Sequence, residues 1–171
     1  MFTTEYSFRG VYADKVKELT TLKFDKENTL FNRNMDVYLL APIIGFLYQK
    51  RSPIDKSTNT TKIFAETLVQ YQKEMEFAYR LVMLLDAEYE PDAQKRIDKA
   101  FKEYINPAQE DLARFDEYVR GGVDILYEKL VQQSSMPEDY LRNLYQFVED
   151  CENRYGQNSQ EILDLCRLAQ N

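Results

Sequence analysis

The sequence predicts an all-α protein, a single-domain bundle of six or seven helices in which two long helices run antiparallel. Three observations carry this prediction. Apolar residues recur at spacings of three and four along most of the chain, which is typical of helices packed on a core. No stretch reads as a convincing strand. Pro91, Pro107 and Pro137 lie where helices start, since proline favours the first helical position. A length of 171 residues fits one domain, residues 1–171.

The first two helices are predicted over Gly10–Leu22 and Val37–Tyr48, joined by a polar connection. Asp36 is a suitable cap for the second helix, which is apolar nearly all round and is therefore expected in the core. Pro42 removes a backbone donor inside it and predicts a kink or a break. Gly45 offers a face where another element comes close.

The two long helices are predicted over Lys62–Glu88 and Pro107–Gln133, with a short helix over Pro91–Ile105 between them. Heptad spacing sustained over three repeats carries the prediction. Gly122 lies in the second of these heptad patterns, with Gly121 beside it, and the two glycines indicate close packing or a hinge, because interior glycines destabilise a helix. The first seam is Phe64, Leu68, Tyr71, Met75, Ala78, Val82 and Leu85, with a second stripe of Phe77, Leu81 and Leu84; the second seam is Ala108, Leu112, Phe115, Val119, Gly122 and Leu126.

Two shorter helices complete the predicted bundle. One opens at Pro137 and ends at Gly156, and the other is capped by Ser159. The residues expected to point inward are Leu141, Leu144, Tyr145 and Val148 in the first, and Ile162, Leu163, Leu165, Cys166 and Leu168 in the second.

The charge of the chain is unevenly distributed. It carries 22 Lys plus Arg and 29 Asp plus Glu, a net charge of −7. Counting along the sequence gives 10 basic and 7 acidic residues (+3) in residues 1–62, and 12 and 22 (−10) in the remainder. We therefore distinguish a basic N-terminal part, residues 1–61, from an acidic helical body, residues 62–171. The candidate contacts for a nucleic acid or an acidic partner are Arg33, Lys50, Arg51, Lys56 and Lys62.

The composition excludes several classes of enzyme. The chain has no His and only two Cys, so it lacks the base of a Ser-His-Asp or Cys-His site and the ligands of the usual zinc and haem sites. No phosphate-binding glycine loop is present. The acidic residues are expected at a helix end and on solvated helix surfaces: Asp86, Glu88, Glu90 and Asp92 at the end and turn, and Glu110-Asp111, Asp116-Glu117 and Glu149-Asp150 on polar faces. We predict no catalytic residue, no cofactor, no metal and no enzymatic activity.

The compartment and partners follow from similar features. The N-terminus has no signal-peptide pattern, and no apolar stretch is long enough to span a membrane. Two thiols fit a reducing compartment, so a cytoplasmic location without membrane partners is expected. The apolar residues of the heptad seams can pack equally well within one chain or between two copies, so a homo-oligomer is possible.

Two segments resemble a known family. One is Leu30-Phe31-x4-Asp36-Val37-Tyr38-x2-Ala41-x3-Gly45-Phe46-x3-Lys50-Arg51, and the other is Phe115-x2-Tyr118-x2-Gly121-Gly122-x3-Leu126-Tyr127. The first, about 22 residues long, resembles small helical proteins associated with bacterial DNA phosphorothioation and phage-defence systems. The resemblance implies an accessory or regulatory role and carries over no catalytic residue.

The resulting hypothesis is a non-enzymatic accessory protein that acts through protein–protein contacts, in a bacterial DNA-modification or defence system. One alternative is a nucleic-acid-binding module that uses the basic N-terminal third. Another is an inhibitor whose acidic surface mimics DNA.

Overall fold

The computed structural model describes residues 2–132, 134 and 136–168, with side chains through residue 154. Over these residues the chain forms seven α-helices, one π-helical turn and two short strands, which confirms the all-α class. In chain order the elements are β1 (Tyr6–Arg9), α1 (Val11–Thr21), α2 (Asn34–Leu47), β2 (Thr60–Ile63), α3 (Ala65–Gln70), α4 (Gln72–Leu85), α5 (Ala93–Phe101), α6 (Gln109–Tyr127), the π-helical turn (Glu128–Gln132) and α7 (Pro137–Leu168).

The two strands were not predicted. They pair antiparallel, with Tyr6 opposite Ile63 and Arg9 opposite Thr60. Each strand has only four residues, and its partner lies far away in the sequence, so no local pattern of alternation marks it. The pairing ties the N-terminus to the segment between α2 and α3.

The pair α2 and α6 forms the centre of the molecule, and its close approach depends on glycine. A Cβ on Gly45 would collide with the carbonyl of Tyr118, and a Cβ on Gly122 with the carbonyl of Ala41. Gly121 lies equally close to the carbonyl of Lys50, which follows the end of α2. The two helix backbones therefore touch directly and run antiparallel along this contact.

Several predicted helix bounds are wrong in the first half of the chain. The single helix over Lys62–Glu88 is interrupted: Lys62 belongs to β2, and the rest divides into α3 and α4 at Tyr71. Because β2 needs extended backbone, Phe64 lies outside any helix and is exposed rather than seated in the seam. Asp36 lies in the first turn of α2 instead of capping it, and α2 continues through Pro42 without a break.

Other corrections concern the later helices. Asp92 caps α5 by accepting hydrogen bonds from the backbone N–H groups of Gln94 and Lys95. α6 ends at Tyr127, and a π-helical turn takes over to Gln132. The predicted end at Gly156 is wrong, because α7 runs through to Leu168. The predicted start of a separate helix at Ser159 is wrong as well, because residue 159 lies inside α7. The predicted inward residues after it concern side chains outside the described part.

One main core holds these elements together. It is built around aromatic and aliphatic side chains of α1, α2, α4 and α6, and Phe147 of α7 joins it. In the described part of the chain, none of the helices is long and apolar enough to cross a membrane. The largest fully buried side chains are Tyr38, Tyr79, Tyr118, Phe115, Leu19 and Met35.

Candidate interaction surface

Helix α7 is attached to the body around Tyr48, the residue that follows α2. The Tyr48 ring stacks on Phe147 at 6.2 Å between centroids. Its hydroxyl donates a 2.5 Å hydrogen bond to Asp150, and the Arg154 guanidinium lies 4.1 Å from the ring centroid. Burial and the bond to Asp150 raise the pKa of Tyr48, whereas the same bond lowers the pKa of Asp150. Three residues one turn apart on α7 therefore point to a single ring.

This attachment determines which face of α7 is exposed. Successive residues are rotated by about 100° in a helix, so Tyr145 lies about 160° from Phe147. Leu141 and Val148 flank Tyr145 at spacings of four and three, on the same outer face. The exposed fractions of Leu141, Tyr145 and Val148 are 42%, 71% and 48%. We call these three residues the α7 stripe.

The α7 stripe corrects the sequence prediction. Four residues of this helix were predicted to point inward. Leu144 is partly buried against the core, but Leu141, Tyr145 and Val148 are exposed. The prediction chose the wrong face because both faces of this helix carry apolar residues at helical spacing. The decisive contact is the packing of Phe147 on Tyr48, which links distant parts of the sequence.

Acidic side chains lie along one side of the α7 stripe and at its C-terminal end. Glu138 lies three residues before Leu141, and Glu149 lies four residues after Tyr145; both glutamates are exposed. Glu152 follows Val148 by four residues and is exposed as well. Spacings of three and four place these side chains within one turn of the apolar ones. The surface is therefore an apolar strip with an acidic margin.

A second exposed apolar area lies between α2 and α4. Leu39, Ile43 and Phe77 line an open groove of about 400 Å³, together with Lys73 and Glu74. Phe77 was predicted to pack on a neighbouring helix, but 62% of its surface is exposed. The charges beside this groove are of both signs, in contrast to the acidic margin of the α7 stripe.

The family model for DNA sulphur modification system-associated protein 4 matches residues 11–167, which is nearly the whole chain. The chain belongs to this family. The expected link to phosphorothioation systems is thereby confirmed at the level of the family. No curated protein and no solved structure matches the chain.

In this family member, the five basic residues predicted to contact a nucleic acid do not form one patch. Arg33 and Lys62 lie near the start of α2, where the Asn34 side chain donates to the Lys62 carbonyl at 3.2 Å. Lys50 and Arg51 follow the other end of α2, about 20 Å away along a helix of 14 residues. Lys56 lies in the long connection from α2 to β2 and is exposed.

Three of these basic side chains have carboxylate partners, which reduces the local positive charge. The N–O distances are 2.7 Å for Arg33 with Asp36, 2.7 Å for Arg51 with Glu88, and 2.9 Å for Lys62 with Glu5.

Two aspartates expected at the surface are buried instead. Asp86, at the end of α4, accepts hydrogen bonds from Arg114 Nε at 2.7 Å and from the Tyr118 hydroxyl at 3.0 Å. Asp111, in the first turn of α6, is paired with Lys99 Nζ at 2.7 Å. These pairs connect α4, α5 and α6, because a buried charge needs a partner. Sequence reasoning missed them since the partners lie 28 and 12 residues away.

Asp116 lines a small cavity beside β1. The cavity has a volume of about 170 Å³, and Tyr6, Tyr12 and Arg120 also line it. Burial raises the pKa of the Asp116 carboxyl to about 6, although Arg120 and a hydrogen bond from Tyr6 oppose the shift. Among the described residues, no group of His, Cys, Asp and Glu side chains is arranged to hold a metal ion.

Proposed function

We propose that this protein is a non-enzymatic accessory subunit of a DNA sulphur modification system, and that it holds another protein of the system through the α7 stripe. Membership of the family supports the link to the system. The observation that carries the mode of action is the exposure of Leu141, Tyr145 and Val148 on one face of a helix whose opposite face packs on Tyr48 through Phe147.

Burial of the α7 stripe by a partner is energetically favourable. Transfer of a large apolar side chain from water to a protein interior contributes about 1.5–3 kcal/mol. Tyr145 combines a large ring with a hydroxyl, and tyrosine is among the residues that dominate binding energy at interfaces. Since Phe147 and Tyr48 hold α7 in place, little further ordering of this helix is needed on binding.

Co-purification with the other proteins of the system tests the proposal. A tagged chain is co-expressed with the other proteins of its DNA sulphur modification system, and the proteins that co-purify are identified. We expect one of them to be retained by the native chain and lost with Tyr145→Asp, which places a charge in the centre of the α7 stripe.

The matched control is Phe77→Asp, which places the same charge on another exposed aromatic residue. We expect this variant to retain the partner. Absence of a complex with every protein of the system would overturn the proposal, as would equal loss of the partner in both variants.

A further inference from the structure

We propose that the partner segment on the α7 stripe is an amphipathic helix whose polar face is basic. This inference rests on the proposed function and adds the chemistry of the partner. Three features support it: the shape of the α7 stripe, the charge of its margin, and the lack of a matching charge on a second copy of this chain.

The shape of the α7 stripe suits a helix. Leu141 and Val148 are seven residues apart, which corresponds to about 10 Å or two helical turns. Side chains at spacings of four and three form a ridge, and a partner helix packs its own ridge beside it. The partner then supplies apolar residues with the recurrence i, i+3 or i+4, and i+7, as in other helix-recognition surfaces.

The margin of the stripe supplies the charge preference. Among the described residues, Glu138, Glu149 and Glu152 take part in no ion pair. Counting residues 137–154 gives two basic and five acidic residues, a net charge of −3. Lysine and arginine on the flanks of a docked helix would face these carboxylates, and complementary charges steer association and suppress wrong partners.

A second copy of this chain does not supply basic side chains opposite these glutamates. Two α7 helices in parallel register would place each carboxylate opposite its own copy. In the antiparallel register centred on Tyr145, Glu138 would face Glu152. The basic side chains of this segment are already engaged, because Arg142 pairs with Asp139 at 2.6 Å and Arg154 pairs with Asp150 at 3.6 Å. Like charges in apposition disfavour this dimer.

Designed peptides provide the test with the full-length protein. Two fluorescent helical peptides of 18 residues share one leucine face and differ only in their polar positions, which are all Lys in one and all Glu in the other. Fluorescence anisotropy at low and high salt gives the dissociation constants. We expect the Lys peptide to bind at least about tenfold more tightly than the Glu peptide, a preference that high salt reduces.

Two sets of variants assign that preference to the α7 stripe. Glu149→Lys with Glu152→Lys is expected to weaken the Lys peptide about tenfold and to strengthen the Glu peptide. Glu27→Lys with Glu103→Lys makes the same change in net charge at exposed positions outside helices, and should leave both affinities within about twofold. Tyr145→Asp is expected to weaken both peptides. Circular dichroism verifies the fold of each variant.

Three results would overturn the inference. These are equal affinity for the two peptides, equal effects of the two double variants, and a dimer in sedimentation that Tyr145→Asp dissociates. The last result would assign the stripe to a second copy. A system protein could co-purify with the native chain and be lost with Tyr145→Asp, while salt and the Glu149 and Glu152 substitutions leave its binding unchanged. That result would support the proposed function and show that only the basic helix is wrong.

Discussion

The hydroxyl of Tyr48 donates a 2.5 Å hydrogen bond to Asp150 of α7, across 102 residues of sequence. Together with the stacking of Phe147 on the same ring, this bond sets the rotation of α7 about its axis. The rotation buries Phe147 and leaves Leu141, Tyr145 and Val148 exposed. The candidate interaction surface therefore depends on a residue that lies at the end of a different helix.

Removal of the Tyr48 hydroxyl should loosen α7. Tyr48→Phe keeps the ring stack and deletes one hydrogen bond to a carboxylate, so we expect a loss of about 1 kcal/mol in the local stability of α7. Hydrogen exchange should quicken in peptides that cover residues 144–154 and stay unchanged in α6. Tyr145→Phe, which deletes an exposed hydroxyl on the same helix, is the control. Equal exchange in wild type and Tyr48→Phe would show that Asp150 does not anchor the helix.

Gly122→Ala should destabilise the protein strongly. In an ordinary helix this change is stabilising by about 1 kcal/mol, because alanine is the better helix former. Here the added Cβ would collide with the carbonyl of Ala41, and the two backbones must separate. We expect a loss of at least about 2 kcal/mol in the free energy of unfolding, measured by urea denaturation. A stabilised variant would contradict the direct backbone contact of α2 and α6.

Asp116 should make stability fall as the pH rises from about 4 to 6. The native carboxyl has a pKa of about 6, whereas an unfolded aspartate releases its proton near 3.9. Between these values the native state binds more protons than the unfolded state, so the free energy of unfolding decreases with rising pH.

The variant Asp116→Asn isolates this effect. The amide oxygen still accepts the hydrogen bond from Tyr6, but the buried position no longer becomes charged. We expect the variant to gain on the order of 2 kcal/mol over wild type at pH 7, and little at pH 4. Urea denaturation across this range measures the difference. A gain independent of pH would contradict the raised pKa.

Binding to nucleic acid is expected to be weak. Lys62 and Lys50 lie near opposite ends of α2, and three of the five basic candidates are paired with carboxylates. A protein that binds nucleic acid mainly through its phosphates has an affinity that falls steeply with salt concentration. We expect no shift of duplex or single-stranded DNA or RNA in a gel at low salt. A shift that is lost with Lys50→Glu would favour the nucleic-acid alternative.

The acidic surface leaves the DNA-mimic alternative as a separate prediction. Its test is competition between this protein and DNA for the basic cleft of a purified partner. Under our proposal, Tyr145→Asp releases the partner although it adds negative charge. A mimic that relies on charge alone would tolerate this substitution.

The sequence was sufficient for the class of fold and for the first helix, because local apolar spacing reflects local helix packing. Prediction from the sequence failed where contacts between distant segments determine the local structure. The helix was predicted to begin at Lys62, yet pairing of Lys62 with Ser7 places Lys62 in β2, and Phe64 comes before the first helical residue. Neither strand is long enough to show its own alternation.

The candidate surface was predicted in composition but not in orientation. The apolar residues of α7 were recognised, but their periodicity fits two rotations of the helix almost equally well. Tyr48 selects one of them through contacts that span about 100 residues. The buried pair of Asp86 and Arg114 escaped prediction for the same reason, since charged residues are usually solvated.

The most direct test of the central claim is a hydrogen-exchange footprint of the complex with the system protein that co-purifies. Amide exchange is compared in the free and bound chain. Our account predicts slower exchange in peptides covering residues 138–152, with no change around Phe77. Protection around Phe77 with none on α7 would contradict it.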